Sequence, residues 1–299
     1  MATVRELLEP AVAALRAAGS ESPRLDAELL LAHSLRVDRT AVLAHPEAQV
    51  GDGPRATYAA AIDRRLAGEP VAYIRGVKEF YGLAFAVDAR ALIPRPETET
   101  LVELALQRIA ARLTSAPRPA GSPPLRVLDV GTGSGAITVA LAASLRRRRY
   151  DGAVRFTASD LSAEALALAV ENAVSHGVAD LIDFREADLL DLPVHVGGRA
   201  DLIVANLPYV PSPELPRLPL AARFEPPLAL DGGSDGLDVL RRLLDGLPEA
   251  LARDGCALLE IGADQGAALV TLAMTRLSGW RAVIHPDLGG HPRVVELAP

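Results

Sequence analysis

Two regimes of hydrophobic spacing divide the chain. Up to residue 75, apolar positions recur at three- and four-residue intervals, the period of helices with one buried face. The stretch "VRELLEPAVAALRAAG" aligns Leu7, Leu8, Ala11, Leu15 and Ala18 on one stripe and stops at Gly19. Ser22 followed by Pro23 predicts an N-cap and a first helical residue for "RLDAELLLAHSL", with Leu25, Leu29 and Ala32 on its inner face. A third helix, "ATYAAAIDRRLAG", ends at Gly68. These small, Ala-rich stripes need each other or a partner, and they carry no catalytic constellation.

The spacing changes at residue 76. Residues 76–92 ("GVKEFYGLAFAVDARAL") are rich in aromatics and alternate on either side of Asp88-Ala89-Arg90, which predicts a β-hairpin linking two parts of the chain. A helix over 98–113 follows, and "SAPRPAGSPP" (115–124) reads as a surface loop, because that helix has no other core to join. From Leu125 onward strands and helices alternate. "LRVLDV", "VRFTAS", "LIDFREA", "DLIVA", "CALLEIG", "RAVIH" and "RVVEL" are the strands, with helices from 135, 162, 237 and 264. Such alternation predicts an α/β fold with a doubly wound, mostly parallel sheet. The expected organisation is a helical domain (1–75), a hairpin linker (76–92) and an α/β domain (93–299). Ligands of such sheets sit beyond the carboxyl ends of the strands, where strand order reverses.

Composition narrows the classes. With 299 residues, 49% hydrophobic, the chain has material for one large domain or a large and a small one. A net charge of −7 argues against a broad nucleic-acid or anionic-membrane surface. The single cysteine, Cys256, lies in a strand core and fits a reducing compartment as an inert thiol. No run of 18 apolar residues and no leader pattern occurs, so a soluble cytoplasmic protein is expected. The six histidines lack metal-ligand spacing, so no metal is expected.

The chemistry gathers at strand ends. "VLDVGTGSGAI" (127–137) is strand, glycine turn, helix, with Gly131, Gly133 and Gly135 allowing the backbone to approach a ligand. Asp129 precedes that turn, and Asp160 closes the next strand, where a carboxylate can accept from both ribose hydroxyls. The alternative for Asp160 is a helix cap, a role Ser162 fills better. A dinucleotide turn would read G-x-G-x-x-G, seating a pyrophosphate on the helix; here it reads G-x-G-x-G. S-adenosylmethionine has no phosphate, and Asp188 and Leu189 at the third strand end are placed to bond and cover an adenine. The fourth strand ends in "NLPY", beginning at Asn206.

In this order, "SPRLDAELLLAHSL", "YIRGVKEFYGLAF", "LIPRPETETLVE", "VLDVGTGSGAI", "NLPY", "EPPLALDGGSDGL" and "LLEIGADQG" cover nearly the whole chain. They resemble the release-factor glutamine methyltransferases (the PrmC/HemK family). The resemblance implies a class I, Rossmann-like methyltransferase with a seven-stranded sheet and S-adenosylmethionine as donor. It also implies the GGQ loop of peptide-chain release factors as protein substrate, with no membrane and no direct nucleic-acid partner. The donor set it implies is Asp129, Gly131, Thr132, Gly133, Ser134, Gly135, Asp160, Asp188, Leu189 and Asn206. The substrate set is Asn206, Leu207, Pro208 and Tyr209, with Asn206, Pro208 and Tyr209 catalytic. The family usually carries N-P-P-Y, so Leu207 is a departure, as is Leu189 where some relatives have an aromatic.

An amide nitrogen is a poor nucleophile because its lone pair is delocalised into the carbonyl. The resemblance implies that the Asn206 side-chain oxygen and the carbonyl of residue 207 accept its two N–H bonds. Pro208 keeps Leu207 extended, and Tyr209 offers a π-face worth about 0.5–2 kcal/mol to a partly cationic methyl. Arg95, Glu97 and Thr98 either close the site or touch the donor, or else start a helix with Thr98 or Glu97 as its cap. Glu225 either orients a loop over the substrate or sits in a surface turn. Arg146 to Arg149 read as a solvated helix end rather than an RNA contact. Glu260 and Gln265 finish the fifth strand and start its helix. The rival readings are glutamine methylation of a ribosomal protein, N6-methylation of adenine in nucleic acid, a non-catalytic translation-binding module, and a nicotinamide dehydrogenase.

Overall fold

The computed structural model describes residues 2–114, 122–150, 152–192 and 198–299. Most of the loop expected over 115–124 lies outside the described residues. The chain divides into two compact units, one comprising residues up to Val77 with Pro219–Phe224, the other Lys78–Leu218 with Glu225–Pro299.

The first unit holds β1 (Ala2–Thr3), α1 (Val4–Ala17), α2 (Pro23–Leu35), α3 (Arg39–Ala44), β2 (Gln49–Val50), α4 (Asp52–Leu66) and α5 (Val71–Arg75). Thr3 and Glu6 form a capping box that starts α1. Helix α2 packs against α1, α3, α4 and α5, so more than one side of it is buried. That corrects the expected stripe. Ala27, Leu30 and Leu31 fill the core, whereas Leu25 is 41% exposed. The predicted cap is corrected too. Ser22 stands at the N-cap, but its hydroxyl donates to Asp26 Oδ1 (2.9 Å), because the buried carboxylate needs donors more than the helix end does. Asp26 also accepts from Ser20 Oγ and Arg65 Nε, each at 2.8 Å. Glu28, 1% exposed, is paired with Arg24 (2.9 Å) and Arg39 (2.7 Å).

A hairpin follows, β3 (Val77–Phe80) and β4 (Leu83–Ala86). Its turn is Tyr81-Gly82, both at positive φ (51° and 70°), as a two-residue hairpin of the twisted kind requires. The turn expected at Asp88–Arg90 exists, with Arg90 N–H donating to Asp88 Oδ1 (3.0 Å), but it lies outside the ladder. Polar side chains produce that signal, and the Tyr-Gly pair holds the geometry.

The rest is a three-layer α/β unit. Helix α6 (Glu99–Thr114) precedes β5 (Leu125–Val130), α7 (Ala136–Arg147), β6 (Val154–Asp160), α8 (Ala163–Ser175), β7 (Ile182–Glu186) and β8 (Ala200–Ala205). Then come α9 (Asp238–Ala250), β9 (Leu251–Glu260), α10 (Gly266–Arg276), β10 (Arg281–Pro286) and β11 (Pro292–Ala298). The sheet runs β7-β6-β5-β8-β9-β11-β10, parallel except for β11, which is antiparallel to both neighbours. Strand order reverses between β5 and β8, which places the switch point there. Leu240, Leu243, Leu244 and Leu247 of α9 are fully buried with Ile203, Ala205 and Leu259 of the sheet. Each such leucine contributes about 1.5–3 kcal/mol and pins the strand ends that carry the polar residues.

Candidate active site

The turn after β5 is shaped by close packing. Gly135, at φ +78°, stands at the start of α7, and a Cβ there would lie 3.0 Å from Ala169 Cβ on α8. With Gly131 and Gly133 also at positive φ, the turn faces a cleft of about 220 Å³. That cleft is lined by Gly131, Thr132, Gly133, Ser134, Asp160, Asp188, Leu189, Asn206, Leu207 and Pro208. The residues expected at four strand ends are therefore neighbours.

Three of the expected residues stand outside that lining: Gly135, which starts α7, and Asp129 and Tyr209. Asp129 is 0% exposed and lies beneath the turn, its Oδ2 accepting from Thr132 Oγ1 (2.7 Å). Its Oδ1 makes no hydrogen bond of good geometry among the described residues. Burial pushes its pKa up to about 6 against the Thr132 and Thr138 hydroxyls. In this geometry Asp129 braces the turn through Thr132. Tyr209 is half-buried behind the cleft wall, and burial raises its phenol pKa. Its carbonyl accepts from Gln265 Nε2 (2.9 Å), and a Cβ on Gly236 would collide with that carbonyl. The glycines of "LDGGSDGL" thus let the 231–237 loop press against the NLPY backbone. Leu230 and Gly232 continue that contact by pairing with Val210.

Asp160 lies at the mouth of the turn. Its Oδ2 accepts from Gly133 N–H (2.8 Å) and its Oδ1 from Ser162 N–H (2.9 Å), while Ser162 Oγ caps α8. Burial raises its pKa and these N–H groups oppose the rise. Each oxygen keeps a lone pair for a ligand hydroxyl. Leu189 has φ +54°, a strained conformation for a non-glycine, and turns the third strand end toward the cleft. Asp188 is bound to Arg242 (2.6 Å).

Three arginines line the cleft and each is committed to carboxylate. Arg90 binds Asp88 and Glu171, Arg95 binds Glu225, and Arg242 binds Asp188. Among the described residues no lining cation is left without a carboxylate partner, which fits a donor without phosphate. Glu225 is 3% exposed and accepts from Ile93 N–H (3.0 Å) as well as Arg95 (2.5 Å), so it ties down the "IPRPE" segment.

Asn206 holds the last feature. Its Nδ2 donates to Thr98 Oγ1 (3.2 Å), and Thr98 Oγ1 donates to Glu260 Oε1 (3.1 Å). Glu260 is 1% exposed, and burial pushes its pKa up to about 7. Sequence alone offers Thr98 as a helix cap, a closing segment or a donor contact, and Glu260 as a strand end, without relating the two. Their pairing spans 162 positions, beyond any local signal. Cys256 lies in β9 with its thiol pushed up to about 11 by burial, unsuited to nucleophilic work. Arg146 closes the end of α7 by pairing with Asp180 (2.6 Å).

A glycine turn at the switch point, an acid at the next strand end and this strand order define a class I S-adenosylmethionine-dependent methyltransferase. Residues 127–223 match a methyltransferase domain family and residues 6–76 the PrmC N-terminal domain family. The hMettl16 catalytic domain, solved with an RNA hairpin, aligns at a TM-score of 0.54 and 17% identity, covering 73% of this chain and 75% of that one, a likeness of fold alone. The release factor glutamine methyltransferase of Moorella thermoacetica is 41% identical, covering 97% of this chain and 96% of its own. That of Deinococcus radiodurans is 40% identical over 98% and 97%. The chain belongs to the release factor glutamine methyltransferase family.

Proposed function

We propose that this protein methylates the side-chain amide nitrogen of the glutamine in the GGQ loop of peptide-chain release factors, using S-adenosylmethionine. The observation that carries the reading is the shared cleft, in which the glycine turn and Asp160 face Asn206 and Pro208. Gly131, Gly133 and Ser134 would hold the donor's methionyl part, Asp160 the ribose, and Asp188 and Leu189 the adenine. When bound, the donor supplies an electrophilic methyl on a positively charged sulfur. The glutamine nitrogen would take that methyl with its lone pair, the C–S electron pair would stay with sulfur, and one amide proton would leave to water. The chain's own work is orientation. Asn206 Oδ1 and the residue-207 carbonyl accept the substrate N–H bonds, so positioning supplies most of the acceleration. No strong base is needed.

The expected helical domain, residues 1–75, serves in this reading to recognise the body of the release factor. The test is incubation with labelled donor and intact release factors, followed by mass spectrometry. One methyl on the GGQ glutamine is expected; label elsewhere, or none, overturns the proposal. A short GGQ peptide run in parallel should show a much lower kcat/KM than the intact factor, and equal values would remove the recognition role.

A further inference from the structure

Asn206 can serve as an acceptor only if its amide oxygen, not its nitrogen, faces the substrate. The two ends of that amide are nearly the same size, so sterics alone do not choose between them. The choice is made by what lies behind. Thr98 Oγ1 has a single proton and sits between Asn206 Nδ2 (3.2 Å) and Glu260 Oε1 (3.1 Å). An ionised carboxylate accepts and cannot donate. Thr98 must then give its proton to Glu260 and can only accept from Asn206. The amide nitrogen is held backward, and Oδ1, to which no described residue donates, is left on the cleft side.

We propose that Thr98 and Glu260 are positioning residues that lock the Asn206 amide with its oxygen toward the substrate, and that protonation of Glu260 releases the lock. Thr98 lines the cleft and acts on the substrate through Asn206, and Glu260 lies behind it, outside the lining. A protonated Glu260 can donate to Thr98, freeing the Thr98 proton for Asn206 Oδ1. The amide can then turn, presenting N–H to the N–H bonds of the substrate, donor against donor. The structure supports a titration in the working range, since burial holds Glu260 near 7. The charged and titratable groups facing it are Arg95 and Glu97 from the segment before α6, Arg293 from β11 and the Tyr209 phenol. Arg293 and Arg95 favour the carboxylate, and Glu97 opposes it. One Glu260 oxygen, Oε2, has no hydrogen bond among the described residues, so Thr98 is the contact through which its charge state reaches the cleft.

This inference rests on the glutamine reading, and the experiment separates the two. Single-turnover methylation of a release factor is measured at saturating donor and substrate across about pH 6–8.5, around the usual range of a raised carboxylate. Wild type sets the reference; if it methylates no release factor, the glutamine reading itself fails. The expected wild-type rate rises with pH as Glu260 ionises, with an inflection near 7. Thr98→Val, close in shape, should lose about 10- to 100-fold in rate and flatten the profile, because misplacement of this kind costs that order. Thr98→Ser should recover all but about threefold of the rate and the inflection with it. Glu260→Gln should abolish the inflection while donor affinity and melting temperature stay near wild type. An active wild type with a Thr98→Val variant of equal rate, or with the inflection intact in Glu260→Gln, overturns the lock and leaves the glutamine reading standing.

Discussion

Both units bury acids against arginines (in the α/β unit, Glu225 against Arg95), and the α/β unit buries two more that are held differently. In the helical unit Asp26 meets Arg65 and two serines, and Glu28 meets Arg24 and Arg39. In the α/β unit Asp129 and Glu260 are buried at least as deeply, with hydroxyls as their hydrogen-bond donors. Desolvation consequently raises their pKa values to about 6 and about 7. A buried carboxylate with a guanidinium partner has its charge answered by an opposite one and serves the fold. A carboxylate with a hydroxyl rather than a guanidinium as its side-chain hydrogen-bond donor, and with burial as the dominant influence, is poised near neutrality, as functional sites often require.

The largest effect should come from breaking the paired arrangement. Arg65→Ala leaves Asp26 buried without its cation, which costs about 3 kcal/mol. Urea unfolding reads this directly, and a loss within error of zero would show that the two serines suffice. In the α/β unit the strongest functional effect belongs to Asn206→Ala. It removes one of two acceptors that aim the substrate nitrogen, and single-turnover rates at saturating donor and substrate should fall about 100-fold. Wild-type rates in that variant would end the acceptor assignment.

How much of this is legible in the sequence follows from the range of each signal. The strands, the glycine turn, Asp160 and Asn206 are written in local periodicity and strand-end residues, and the structure brings those residues to one cleft. Asp129 carries the right local signal for an acid beside a ligand. Its side chain turns under the loop because Thr132 offers it a donor three residues on. The hairpin turn is misplaced in the sequence reading because Asp88 and Arg90 pair locally whether or not strands flank them. Thr98, Glu260 and Asn206 meet across three separate chain segments, so no window of sequence holds their relation.

The contrast between the two kinds of buried acid also has a sign that can be tested. Asp129 has a folded-state pKa raised above its ordinary 3.8, to about 6. The folded state therefore holds this proton more tightly than the unfolded chain does. The stability tied to that proton is fully present below about pH 4 and is lost as pH rises through about 6. An asparagine at this position would stay neutral throughout. Asp129→Asn should match wild type near pH 4 and exceed it by about 2 kcal/mol above pH 7, where Arg65→Ala is destabilising. Unfolding curves at several pH values check this. A constant offset across the range would mean that Asp129 is ionised without penalty and that the contrast with Asp26 is false.

The smallest expected effect is at Leu207, where the family motif usually carries proline. Its side chain is 4% exposed, joins the core with Val130, Ile203 and Leu240, and packs so closely on the glycine turn that a Cβ on Gly131 would lie 2.8 Å from Leu207 Cδ2. The residue thus contributes a backbone carbonyl to the proposed cradle and an apolar side chain to the wall behind it. Leu207→Pro keeps the carbonyl and gives up part of the packing, and the new ring holds Asn206 extended at the end of β8, where the strand already leads. Stability should fall by about 1 kcal/mol for the lost packing, while the methylation rate at saturating substrate changes by less than about threefold, since orientation is preserved. A large loss of rate with stability retained would show that the loop holds the substrate amide differently here, and that the leucine itself shapes the cleft.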